Sequence, residues 1–186
     1  DLVIPEIIAK LLVERGITTF DAAKNFFRPS LEALHDPFLM EDMQKAVDRV
    51  NEAIDKNQRI LIYGDYDVDG TTSVALMYSF LNRFTNNIEF YQPDRYSEGY
   101  GVSLKGVEYA QSKKINLIIA LDCGIKAVDK VERANEYGID FIICDHHRPG
   151  EILPDALAIL NPKKATCSYP YSELCGCGIG LKLAQA

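Results

Sequence analysis

Carboxylates and imidazoles stand out among the residues whose types and spacing can do chemistry. Gly64-Asp65-Tyr66-Asp67-Val68-Asp69-Gly70 sets three aspartates at alternate positions, and Asp122-Cys123-Gly124 adds a fourth. Asp145-His146-His147-Arg148 joins a fifth to two of the chain's three histidines. Each segment follows an apolar run. Five crowded carboxylates repel one another strongly at low dielectric, and a divalent cation relieves that repulsion. Mixed carboxylate and imidazole donors suit Mn2+, with Mg2+ fitting a more oxygen-rich position. If the Asp65–Asp69 stretch is extended, alternate carboxylates fall on one side about 6–7 Å apart. That spacing is too wide for one ion and suits neighbouring ions bridged by a further group such as Asp122. Two ions about 3.5–4 Å apart clamp the attacking and leaving oxygens of a phosphoryl transfer. Thr71, Thr72 and Ser73 are expected to open a helix whose free amides make an anion site. The combination reads as metal-assisted hydrolysis of a phosphate ester. Arg95, Arg148 and Thr71 are the candidate phosphate contacts, although either arginine alone also reads as surface charge. Ser97, Tyr100 and Gly101 read as loop structure, and His35 as a turn residue.

These residues need a scaffold that brings distant segments to one edge. From Arg59 onward, short apolar runs at 60–63, 88–91, 117–121, 141–144 and 156–160 alternate with helical patterns at 70–84, 103–113 and 125–137. Nearly unbroken apolar strands alternating with helices predict an α/β fold: a parallel five-stranded sheet with helices on both faces. In such sheets ligands gather beyond the carboxyl ends of the strands, where all the candidate residues lie. Residues 1–57 read as a short N-terminal helical arm packed on the body. Pro5 suits a first helical turn and Gly16 its end; Thr18 or Thr19 caps a second helix that Pro29 stops. Met43, Val47, Val50 and Ile54 make a stripe at helical spacing within 41–56. Residues 58–186 form the expected catalytic domain. It closes on a helix opening near Gly178, with Ile179, Leu181 and Leu183 expected on the sheet.

Composition narrows the classes. The chain has 186 residues, 47% hydrophobic and 25% charged, an ordinary globular balance. No apolar run reaches membrane-spanning length and no secretory leader is visible, so no membrane partner is expected. The net charge of −7 argues against broad, sequence-blind binding of nucleic-acid backbone. Five cysteines, an odd number, read as reduced thiols in a cytoplasmic setting. Cys175-Gly-Cys177 lacks the spacer of a zinc knuckle and has no histidine nearby.

The ordered set of motifs resembles the DHH phosphoesterase superfamily. Asp145-His146-His147 and the Gly64–Gly70 stretch carry the likeness. Asp36-Pro37-Phe38-Leu39-Met40, Pro93-Asp94-Arg95, Glu98-Gly99-Tyr100-Gly101, Asp122-Cys123-Gly124-Ile125, His146-His147-Arg148-Pro149-Gly150, Leu153–Ala158 and Asn161-Pro162 support it. The likeness runs from about residue 18 to the end and is nearest to the bacterial members that degrade single-stranded DNA. It implies a 5′-to-3′ exonuclease of recombination and repair that uses Mn2+ or Mg2+ in the bacterial cytoplasm. Single-stranded DNA is the implied partner, with a single-strand-binding protein and a recombination helicase beside it. By motif, Asp67, Asp69, Asp122 and His146 are metal ligands, with Asp122 bridging. His147 contacts the scissile phosphate or moves a proton, and Asp65 and Asp145 complete the catalytic set. The family's further aspartate ligand and its DNA-gripping domains are expected beyond Ala186, so the domain reads as truncated at its C-terminal end and inactive alone.

Other readings compete. One is a DHH phosphoesterase acting on short oligonucleotides or small nucleotides. A second is an aspartyl phosphatase of the haloacid dehalogenase type, because Asp67-Val68-Asp69-Gly70-Thr71 matches that motif, with Asp67 as nucleophile. That motif needs no Asp-His-His and sits directly on a strand end, whereas Gly-Asp-Tyr intervenes here. A third is a DHH-type scaffold that has lost its metals, which should show eroded ligands; every ligand position visible here is filled.

Overall fold

The structure, a computed structural model, describes residues 4–186. It falls into two compact units, divided between Asp36 and Pro37. In the first, α1 (Glu6–Glu14) follows Pro5 and ends before Gly16, whose φ of +75° suits a residue without a side chain. The second helix, α2 (Phe20–Phe27), is capped by Thr19, whose hydroxyl accepts from the Ala22 amide at 3.2 Å.

The second unit opens with a 3-10 turn at Pro37–Leu39 and α3 (Met43–Asp55). It continues through β1 (Ile60–Gly64), α4 (Val68–Leu81), β2 (Ile88–Tyr91), α5 (Leu104–Ser112), β3 (Leu117–Leu121), α6 (Val128–Glu136), β4 (Asp140–Cys144), β5 (Ala158–Leu160) and α7 (Gly176–Gln185). All five strands are parallel, in the order β2-β1-β3-β4-β5. The expected five-stranded α/β sheet is therefore present. No helix among the described residues is long and apolar enough to cross a membrane.

Strand period explains the layers. Ile60, Ile62, Leu117, Ile119, Leu121, Ile142 and Cys144 face one core with residues of α3, α4 and α7. Leu61, Tyr63, Ile118, Ala120, Phe141 and Ile143 face the other, with residues of α5 and α6. Strands buried on both faces need apolar residues at every position, and β1 and β3 have none exposed. A Leu→Ala change at such a site costs about 2–5 kcal/mol.

The first 57 residues do not behave as one arm. Met43, Ala46, Val50 and Ala53 of α3 are buried in the same core as Ile60 and Met77. Arg49, 7% exposed, donates through Nε to Asp140 Oδ2 at 2.6 Å and so ties α3 to the start of β4. The unit around the sheet thus begins at Pro37 rather than at residue 58.

Two local corrections concern helix phase. The helix expected from residue 70 starts at Val68, because Asp67 accepts the Gly70 amide at 2.9 Å and caps it there. Thr71, Thr72 and Ser73 consequently lie inside the helix. The Thr71 amide bonds Asp67 O at 2.9 Å, and the Thr72 and Ser73 hydroxyls bond back to carbonyls, so the helix opens ahead of these residues rather than on them. In α7, Ile179 and Leu183 are buried four residues apart, whereas Leu181 is 43% exposed.

Candidate metal and phosphoester site

Strand register builds the site. Gly64 pairs with Leu121 and Leu121 with Cys144, so Asp65, Asp122 and Asp145 each stand one residue beyond a level row. The chain leaves β1 for β2 on one side and returns to β3 on the other, so the switch in strand order lies between β1 and β3. That is where an open parallel sheet forms its crevice.

Backbone geometry then sorts the carboxylates. Asp65 and Asp145 turn toward the α5–α6 side. Asp65 Oδ1 accepts the Gly101 amide at 3.2 Å, and Asp145 Oδ2 accepts the Ile125 amide at 2.9 Å. Asp122 adopts φ +59°, a left-handed conformation that aspartate tolerates better than most residues. Its side chain lies against α7, so close that a Cβ on Gly176 would stand 2.5 Å from Asp122 Cβ and 2.6 Å from Oδ1. Asp69, in the first turn of α4, reaches the same helix. Its Oδ2 accepts the Gly176 amide at 2.7 Å and its Oδ1 the Cys177 amide at 2.8 Å. Asp69 therefore binds the opening amides of α7, a favourable place for a negative charge.

His146 Nε2 stands 3.1 Å from Asp122 Oδ1 and 3.7 Å from Asp69 Oδ2. The shorter contact lacks hydrogen-bond geometry, so Asp122 Oδ1 is buried without a donor; Asp65 Oδ2 is likewise unpartnered. Burial, then the charges of Asp69 and Asp67, push the Asp122 carboxyl up to about 8. Asp122, His146 and His147 each offer a ligand atom, all within 4.8 Å of one another. A buried, donor-less carboxylate oxygen beside two imidazoles suits a divalent cation.

His147 is held from behind. Asp145 Oδ1 meets its Nδ1 at 2.7 Å and accepts its amide at 3.0 Å. Burial opposes ionisation of Asp145, but the His147 ring and these amides outweigh it and hold the carboxyl below its ordinary range. The Asp145 bond in turn raises the His147 pKa. His147 Nε2 lies 3.1 Å from the Tyr100 hydroxyl. Tyr100 packs edge-on against Tyr66 at 6.2 Å, and Arg95 lies 5.5 Å from the Tyr66 ring centroid. Arg95 thus joins the site through two aromatic rings. Arg148 is exposed, and the Thr71 hydroxyl accepts from Gln92 Nε2 at 3.0 Å.

The structure thus brings Asp69, Asp122, Asp145, His146 and His147 together. The extended spacing expected for Asp65, Asp67 and Asp69 is not adopted, because the chain turns into α4 at Val68 and Asp67 becomes its cap. His147 joins the donor group beside Asp122, outside the ligand set expected from the motifs. By sequence Tyr100 reads as loop structure, and nothing in the pattern assigns Gly176 or Asn161 to the site. Asn161 stands one residue beyond β5, in line with the aspartates, and its Nδ2 donates to the His147 carbonyl at 2.9 Å. Its place after the fifth apolar run was the available signal.

Residues 59–186 match the DHH family, N-terminal domain. The chain belongs to the DHH family. It is similar to the single-stranded-DNA-specific exonuclease RecJ of Bacillus subtilis, 43% identical over 98% of this chain and 23% of that protein. The RecJ of Escherichia coli is 33% identical over 98% of this chain and 31% of that protein. The chain therefore spans less than a third of the length of these two curated relatives, 23% of one and 31% of the other. Among solved structures, exonuclease RecJ bound to manganese superposes with a TM-score of 0.71 at 29% identity, over 78% of this chain and 37% of that one. RecJ from Thermus thermophilus in complex with Mn2+ gives 0.72 at 23% identity over 93% of this chain and 23% of that one, a likeness of fold.

Proposed function

We propose that this chain carries the metal-dependent phosphodiesterase centre of a 5′-to-3′ exonuclease acting on single-stranded DNA in recombination and repair. The observation that carries the reading is the buried, donor-less Oδ1 of Asp122 with His146 Nε2 3.1 Å away. Asp122 and His146 hold Mn2+ or Mg2+, with Asp69 and Asp67 completing a two-ion set. Each carboxylate oxygen has two lone pairs, so the amide bonds to Asp69 and Asp67 leave capacity for a cation. When bound, the cations neutralise the carboxylates and stabilise charge on the reacting phosphate.

The protein's own groups do the rest. Asp145 fixes the His147 ring through Nδ1, which leaves Nε2 facing the crevice. There His147 supplies a proton to the leaving oxygen or steadies the scissile phosphate. Arg95, backed by Tyr66, pairs with a phosphate, and Tyr100 keeps the imidazole in place. Asp65 adds negative charge beneath the site. An aspartyl-phosphatase mechanism suits the geometry less well, because its motif sits directly on a strand end, whereas Asp65 and Tyr66 separate Asp67 from the end of β1.

The test uses a 5′-labelled single strand with Mn2+ and this chain joined to the remaining length of a RecJ relative. His147→Ala should cut turnover at least a hundredfold while Mn2+ affinity, read by calorimetry, changes less than fivefold. Equal losses would make His147 a ligand. A covalent phosphate on Asp67, seen by mass spectrometry, would overturn the hydrolytic reading, and absence of bound Mn2+ would leave a scaffold.

A further inference from the structure

A cavity adjoins the site. It encloses ≈ 310 Å³ between the segment that follows β3 and the Tyr100–Val102 stretch, with His147 and Asp145 at one wall. That is within the size range of small-molecule sites. Cys123, Ile125 and Val102, all buried, give it an apolar floor, and Lys126 and Lys130 supply its cations.

Charge makes the cavity unusual in a chain of net charge −7. Its one lining carboxylate, Asp145, is 1% exposed and takes three donors. Lys126 is exposed, and near enough to His147 to oppose protonation of the ring. Lys130 has 30% of its side chain exposed, and its ammonium stands 2.9 Å from the carboxylate of its neighbour Asp129. That exposed pairing is weak and yields to a better anion. The crevice of aspartates therefore opens on one flank into a pocket with an apolar floor and two ammonium groups.

We infer that this cavity receives the nucleotide unit adjoining the scissile linkage, with Lys126 and Lys130 on its phosphate. The inference rests on the phosphodiesterase reading and deepens it: the site takes a chain with at least two neighbouring phosphates and discriminates against a mononucleotide. The apolar floor lies against the sugar and carries no base-specific donors.

The experiment measures binding of thymidine monophosphate and of a 5′-phosphorylated thymidine dinucleotide to this chain in Mg2+, at low and high salt. The expected result is at least tenfold tighter binding of the dinucleotide, a preference that shrinks with salt. Lys126→Ala with Lys130→Ala should abolish the preference and leave monophosphate affinity within threefold. Lys126→Arg with Lys130→Arg should keep the preference, separating charge from packing. Unchanged preference in the alanine pair overturns the inference. Equal binding of the two probes by the unsubstituted chain overturns it too and leaves the phosphodiesterase reading standing. Failure of that chain to bind either probe overturns both.

Discussion

Burying a carboxylate oxygen without a donor costs free energy that a protein recovers by protonation or by binding a cation. Asp122 is such a group. Its native pKa of about 8 lies above the ordinary 3.8, so the folded metal-free chain holds a proton that the unfolded chain releases. Metal-free stability must then fall as pH rises from about 4 to 8. Asp122→Asn should remove that slope and raise metal-free stability at pH 8 by on the order of 2 kcal/mol, read by urea unfolding. The same variant should lose most of the thermal stabilisation that Mn2+ gives the unsubstituted chain. A metal-free slope that survives the substitution would remove Asp122 from this role. The Asp145–His147 pair behaves differently. Asp145 is held low, so its contribution is lost as pH falls through that lowered value. The His147 pKa is raised, so its contribution is complete below the ordinary imidazole value and lost as pH rises through the raised one. The pair stabilises most between the two. Asp145→Asn should cost about 1–3 kcal/mol at pH 6, because three donors lose their charged acceptor. Little change in unfolding free energy would show that those bonds are not formed.

At the scale of elements, α4 and α7 meet over the site. Asp69 on α4 holds the first amides of α7, while Gly176 of α7 lies on Asp122. A methyl group at Gly176 would stand 2.6 Å from Asp122 Oδ1, a distance that real side chains do not tolerate. Gly176→Ala should therefore destabilise by about 1–3 kcal/mol and weaken Mn2+ binding at least tenfold. Gly180→Ala, on the same helix with a nearest contact of 3.2 Å to a leucine side chain, should cost stability while leaving metal affinity nearly intact. Equal metal affinities in the two variants would show that α7 does not shape the site. Gly70 plays the matching part on α4. A Cβ there would meet the Asp65 carbonyl at 2.3 Å, so glycine is what lets the helix start close beside β1.

At the scale of the molecule, the sheet, its two cores and every proposed ligand lie within residues 37–186. A chain beginning at Pro37 should fold cooperatively and bind Mn2+ within threefold of the full sequence. Circular dichroism and calorimetry check this. Loss of the cooperative transition would show that the first 36 residues are needed to fold the rest.

Much of this was legible in the sequence because apolar period is local information. Five buried runs and the helices between them follow from which residues avoid water, and an aspartate after each of β1, β3 and β4 follows from reading one position further. The motif order supplied the family. Tertiary structure alone decided which carboxylates face each other. The strand register set Asp65, Asp122 and Asp145 level, and the left-handed turn at Asp122 sent one of them to the opposite side. Asp67 as a cap, Asp69 as the anchor of α7, and the orphaned Asp122 oxygen depend on helices that start within hydrogen-bond reach of one another. No single segment encodes that distance, because packing between segments far apart in the chain sets it.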